Sequence, residues 1–182
     1  MFGMEVANDS DQQDRYHPYF MKALDQGWHL SPVGSEDEHF GDYAAEKFPK
    51  TVTLATALSE AGFKEAWLAR RTYAITTASR HLRASLLADG AHPMGSRLRC
   101  DAGKTVSVDV ALATRDGVPV TAEYRLYTNG GKALGSIKGS SAHFDLEVPA
   151  KAGDAERWYV VRAFDASGQM LAYLAPVWVK AR

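Results

Sequence analysis

The chain has 182 residues, 46% hydrophobic and 24% charged, enough for one large or two small globular domains and too apolar for a disordered polymer. Its 21 basic and 22 acidic residues leave a formal charge of -1 with no basic block, so no nucleic-acid partner is expected. A lone cysteine, Cys100, excludes an intrachain disulfide, and no apolar run reaches the ~20 residues of a membrane span, which predicts a soluble chain without a membrane partner.

Residues 2–6 are apolar enough for a short strand, and 8–15 read as a polar loop. A helix is predicted over 19–26, with Phe20, Ala23 and Leu24 at helical spacing and Gly27 where a C-terminal cap belongs. An extended stretch over 28–33 carries Pro32, which favours a strand end. The loop that follows, 34–43, is dense in charge: Glu36, Asp37, Glu38, His39 and Asp42. Residues 51–57 fit strand or helix. Ser59 then N-caps a helix predicted over 59–73, with Glu60 in its first turn and Phe63, Ala66, Trp67 and Arg70 along one side.

From about residue 82 the period changes from helical to alternating. Val106, Val108, Val110 and Leu112 fall on one face, and Arg115-Asp116-Gly117 makes a turn. Asn129-Gly130-Gly131 supplies positive-φ residues for a hairpin, after which Ala142, Phe144, Leu146 and Val148 share a face. Runs over 158–164 and 171–179 flank a turn at 165–168. About six or seven short strands predict a β-sandwich of immunoglobulin-like type. The change of period divides the chain into 1–80 and 81–182.

Only Asp37-x-His39 has the residue types and spacing for metal chemistry. On extended backbone, residues two apart point to the same side, so a carboxylate and an imidazole can converge on one cation. A solvated polar loop is the alternative. His29 lies nearest this loop in sequence and is a candidate for orienting a ligand. Arg70 and Arg71 suit an anionic substrate group, or equally an exposed helix face or interdomain salt bridge. His17, His81, His92 and His143 read as exposed or locally bonded, Cys100 as a small buried hydrophobe, and Trp28, Trp67, Trp158 and Trp178 as core anchors.

The wording around the pair carries a resemblance. Leu24-Asp25-Gln26-Gly27-Trp28 leads through Pro32-Val33-Gly34 to Asp37-Glu38-His39; Met4-Glu5-Val6-Ala7-Asn8 precedes it; Glu65-Ala66-Trp67 and Arg71-Thr72-Tyr73-Ala74 follow. Gly90, Met94-Gly95 and Ala175-Pro176-Val177-Trp178-Val179 complete the series. These segments are similar to metal-dependent hydrolases of the PHP (polymerase and histidinol phosphatase) superfamily, CehA/McbA-like branch. The resemblance implies a distorted (β/α)-barrel around divalent zinc, manganese or iron, with a metal-bound hydroxide attacking a phosphoester or other small-molecule ester. It makes Asp37 and His39 metal ligands and places Glu5 and Asn8 at the strand end beside them.

The family's early His-x-His motif and its intervening Glu and His ligands have no counterpart. The expectation is therefore an α+β chain: a barrel remnant over 1–80 followed by an all-β immunoglobulin-like sandwich over 81–182. Such a remnant is inactive alone, and is completed by the missing N-terminal catalytic portion or by self-association. It is cytoplasmic as the sequence stands, and exported if a full-length parent carries a signal peptide. The rival expectation is a non-catalytic β-sandwich module for binding or assembly.

Overall fold

The computed structural model describes residues 1–8, 15–41, 43, 45, 47–76 and 81–182. The polar loop expected over 8–15, Asp42 and the expected boundary at residue 80 lie partly or wholly outside these. In chain order the elements are β1 (Gly3–Asn8), α1 (His17–Asp25), β2 (Ser31–Ser35), β3 (Lys50–Thr53), α2 (Glu60–Leu68) and β4 (Thr72–Ile75). There follow β5 (Arg83–Ala88), β6 (His92–Pro93), β7 (Arg97–Cys100), β8 (Thr105–Ala113), β9 (Ala122–Thr128) and β10 (Lys132–Gly139). The last are β11 (Ser141–Glu147), β12 (Arg157–Phe164), β13 (Met170–Leu174) and β14 (Val177–Ala181).

Strict alternation builds a four-stranded sheet in the order β11-β8-β5-β6. Val106, Val108, Val110, Leu112, Ala142, Phe144 and Leu146 all turn inward from it, while their neighbours face water. A second sheet of eight strands runs β10-β9-β12-β13-β4-β3, with β14 pairing β12 and β7. Its inward residues, among them Tyr124, Leu126, Tyr159, Val161, Leu174, Val177 and Val179, join those of the first sheet in one core. The architecture is β-rich and sandwich-like, as the alternation predicts.

The central strands β12 and β13 of the larger sheet are buried on their other face too. Along β12, Tyr159 and Val161 enter the sandwich core, whereas Trp158 and Val160 enter a second cluster with Val6, Ala7, Phe20, Met21, Leu24 and Leu30. A third layer, made of α1 and the parallel pair β1-β2, therefore covers this sheet. Asp25, at the end of α1, fastens the layer to the β9–β10 turn: its carboxylate accepts from Trp158 Nε1 at 3.0 Å and from the Gly130 amide at 3.0 Å. Within the second cluster the buried Arg162 guanidinium lies 4.8 Å from the Phe164 ring and 5.3 Å from Tyr173, which offsets its desolvation.

Several elements differ from expectation. The helix predicted over 59–73 is capped as foreseen, with Ser59 Oγ accepting from the Gly62 amide at 3.1 Å, but ends at Leu68. Arg70 takes φ +60, and the β-branched and aromatic run Thr72–Ile75 becomes β4 instead. That strand pairs with β13 through Tyr73↔Leu174 and Ile75↔Ala172, so the larger sheet draws strands from both sides of the expected boundary at residue 80. The run 171–179 is broken by Pro176, which has no amide to donate: β13 and β14 both pair with the same edge of β12, one after the other.

Trp158 and Trp178 are core anchors, but Trp28 is half exposed and Trp67 sits at the surface between Phe2 and Phe63. His17 opens α1 and meets the Tyr173 hydroxyl at 2.9 Å, so it is not an exposed loop histidine. Cys100 is half-buried against the sandwich core, and burial pushes its thiol up.

Candidate functional site

β1 and β2 run parallel with α1 between them, in the register Gly3↔Ser31 to Asn8↔Ser35. Their C-terminal ends therefore lie side by side. Asn8 closes β1 and is almost fully buried; its Nδ2 donates to Glu5 Oε1 at 2.9 Å. Two residues past the end of β2 stands Asp37, and His39 follows. Open parallel sheets bind ligands outside the carboxyl ends of their strands; Asn8 stands at that end of β1, opposite Ser35, and Asp37 and His39 follow β2, while Glu5 pairs mid-strand with Val33.

Local packing fixes how the chain leaves β2. A Cβ on Gly34 would stand 2.6 Å from the Lys50 carbonyl oxygen, closer than any side chain tolerates. Thr51 Oγ1 uses that approach, accepting from the Gly34 amide at 2.9 Å and donating to its carbonyl at 2.8 Å. Lys50 Nζ then reaches Glu36 Oε1 at 3.3 Å and the Ala45 carbonyl at 2.6 Å, and Glu38 accepts from the Phe40 amide. Glu36 and Glu38 are thereby occupied by the loop itself, which leaves Asp37 and His39 pointing outward.

Asp37 and His39 do not sit on extended backbone as expected. Asp37 takes φ +49, a conformation that Asp tolerates better than most residues. The two side chains still converge: His39 Nε2 lies 3.2 Å from Asp37 Oδ1, with 74% and 55% of each side chain exposed. Among the described residues no group of three or more His, Cys, Asp or Glu side chains is placed to hold a metal. A catalytic zinc needs three protein ligands and an open position, so this pair alone falls short of one.

His29 and the two arginines are elsewhere. His29 precedes β2 and Asp37 follows it, and a five-residue strand spans about 16 Å. His29 therefore lies at the opposite end of the strand from the pair, where its Nε2 meets Glu156 Oε2 at 2.5 Å and its ring packs edge-on against Trp178. Arg97 Nε donates to the other oxygen of Glu156 at 3.2 Å, and Arg70 Nε donates to the His29 carbonyl at 2.6 Å. Burial, and then the nearby Arg97 charge, lower the pKa of Arg70. Arg71 donates to the Leu54 carbonyl at 3.2 Å and pairs with Glu65. Sequence spacing missed this cluster because Arg97, which opens β7, and Glu156, which directly precedes β12, are distant in sequence. The signal within reach was Gly95, whose φ of +87 and close approach to the Ala69 and Arg70 carbonyls hold the β6–β7 turn against the end of α2.

No family model and no curated protein matches the chain. Among solved structures, the soluble domain of PmoD from Methylocystis sp. ATCC 49242 (Rockwell) aligns with 54% of this chain and 90% of its own, at a TM-score of 0.33 and 8% identity. A likeness that low carries no argument about fold or function. The only other imidazole–carboxylate group of comparable closeness among the described residues outside the His29 cluster lies on the wet face of the smaller sheet. There His143 Nδ1 stands 2.8 Å from Asp109 and Nε2 stands 3.8 Å from Asp145.

Proposed function

We propose that this chain is part of a metal-dependent hydrolase of the PHP type, to which it contributes two ligands, Asp37 and His39, flanked by Glu5 and Asn8. The observation that supports the reading is the parallel β1-α1-β2 unit, which sets Asn8 beside Ser35 just before Asp37, together with the approach of His39 Nε2 to Asp37 Oδ1 at 3.2 Å. The bound cation, zinc, manganese or iron, would polarise a phosphoester or other ester and supply hydroxide. With two of the ligands here, the remainder come from a further polypeptide segment, whether an N-terminal catalytic portion or a second copy, and the chain alone is inactive. The immunoglobulin-like character of the sandwich belongs to this same proposal.

Isothermal titration of the chain with Zn²⁺ and with Mn²⁺ tests it. The expected result is weak saturable binding at one site, abolished in Asp37→Ala and in His39→Ala without loss of folding. Identical heats from the wild type and both variants would overturn the metal reading. They would favour the second reading, a non-catalytic binding or assembly module, which draws support from the exposure of the pair and from the sandwich that makes up most of the chain.

A further inference from the structure

We propose that a cleft beside β3 binds a small organic anion with an apolar body. It lies between β3, the residues leading into α2, and the end of the β5–β8 pair, and it encloses about 550 Å³, within the range of small-molecule sites. Its floor is apolar, made by Val52, Ile75 and Leu82, and one wall is formed by Leu58 and Phe63, which are exposed. At its rim stand Arg83 and Arg115.

Charge decides what the cleft accepts. Arg83 faces Ala113 in the β5–β8 register, and Arg115 follows two residues later, which brings both guanidiniums to the same end of the pair. Among the described residues, neither has a carboxylate at ion-pair distance and no Asp or Glu lines the cleft. Lys50 also lines it, but its ammonium is engaged by Glu36 and the Ala45 carbonyl. Tyr73 adds no negative charge: its hydroxyl donates to the Leu82 carbonyl at 2.9 Å, and burial pushes its pKa up.

An exposed ion pair is too weak to hold an inorganic anion, because solvent screens it. The apolar floor and the exposed Leu58 and Phe63 must supply the rest of the affinity. A cation is repelled and a neutral apolar molecule uses only half of the site, so the ligand class is an aryl or acyl carboxylate, sulfonate or phosphate. This site is separate from Asp37 and His39 and does not depend on the metal reading.

Fluorescence titration of the full chain with 8-anilinonaphthalene-1-sulfonate, and with its neutral counterpart N-phenyl-1-naphthylamine, tests the assignment. The sulfonate should saturate one site. The double variant Arg83→Gln/Arg115→Gln should weaken the sulfonate by about tenfold, roughly the worth of two exposed ion pairs, and leave the neutral probe within about twofold. Leu58→Asp, at an exposed position, should weaken both probes. An unchanged denaturation midpoint in each variant separates lost binding from lost folding. Equal binding of the sulfonate by the wild type and the double arginine variant overturns the proposal, as does parallel loss of both probes in that variant.

Discussion

The two sheets of this molecule are buried in different ways, although both were assembled from short apolar strands. In β11 of the smaller sheet, burial alternates residue by residue: Ala142, Phe144 and Leu146 are inside while Ser141, His143, Asp145 and Glu147 are wet. In β12 of the larger sheet, every residue from Trp158 to Phe164 is buried. Alternation reports one covered face and continuous burial reports two. The described elements before residue 76 are therefore part of the same stack: α1 and β1-β2 lie over one face of the larger sheet, and β3 and β4 are strands within it.

The largest expected effect comes from cutting into the shared layer. Trp158→Ala should cost about 3–5 kcal/mol in urea unfolding, since it empties a site that is 1% exposed and removes the Nε1 donor to Asp25. Leu146→Ala, in the core between the sheets, should cost about 2–5 kcal/mol. If the layers form one folding unit, both variants shift a single transition followed by tryptophan fluorescence and by far-UV circular dichroism. Two separated transitions would instead support independent units on either side of residue 80.

Smaller effects come from the ties between layers. Asp25→Ala removes the acceptor shared by Trp158 and Gly130 at an exposed helix end, and should cost about 1–2 kcal/mol by the same unfolding measurement. Thr72→Val deletes the buried bond from Oγ1 to the Pro32 carbonyl, 3.1 Å long, that joins β4 to β2; about 1 kcal/mol should be lost.

The wet face of β11 should respond least. His143→Ala should leave the urea midpoint unmoved at pH 8. The hydrogen bond to Asp109, helped by the charges of Asp109 and Asp145, holds the His143 imidazolium above its usual pKa. A raised folded-state pKa contributes stability that is complete below the ordinary histidine value and fades as pH rises through the raised one. A small loss in the variant is therefore expected at pH 5 and none at pH 8. A loss that grows toward pH 8 would contradict the sign.

What the sequence made legible follows the same division. The strands with one wet face announced themselves: Val106, Val108, Val110 and Leu112 alternate cleanly, and the turns at Gly117, Gly130 and Gly168 carry the positive φ that their composition predicts. Local caps were equally readable at Ser59 and Gly27. Strands covered on both faces lose the alternation that distinguishes them, so Thr72–Ile75 reads as the tail of a helix until its pairing with β13 is seen. Of the site, the sequence offered Asp37 and His39, which the fold does bring together. It misplaced His29 because neighbours in sequence are separated by the length of β2, and it left out Glu156 because that residue arrives from the distant segment just before β12.

The claim that these strand ends share one cation is tested most directly by adding substoichiometric Mn²⁺ to ¹⁵N-labelled protein and mapping which amide resonances broaden. Broadening centred on Asn8 and on Asp37 to His39 is expected, with the same residues spared in Asp37→Ala. Broadening centred instead on Asp109, His143 and Asp145, or spread evenly over the surface, would contradict it.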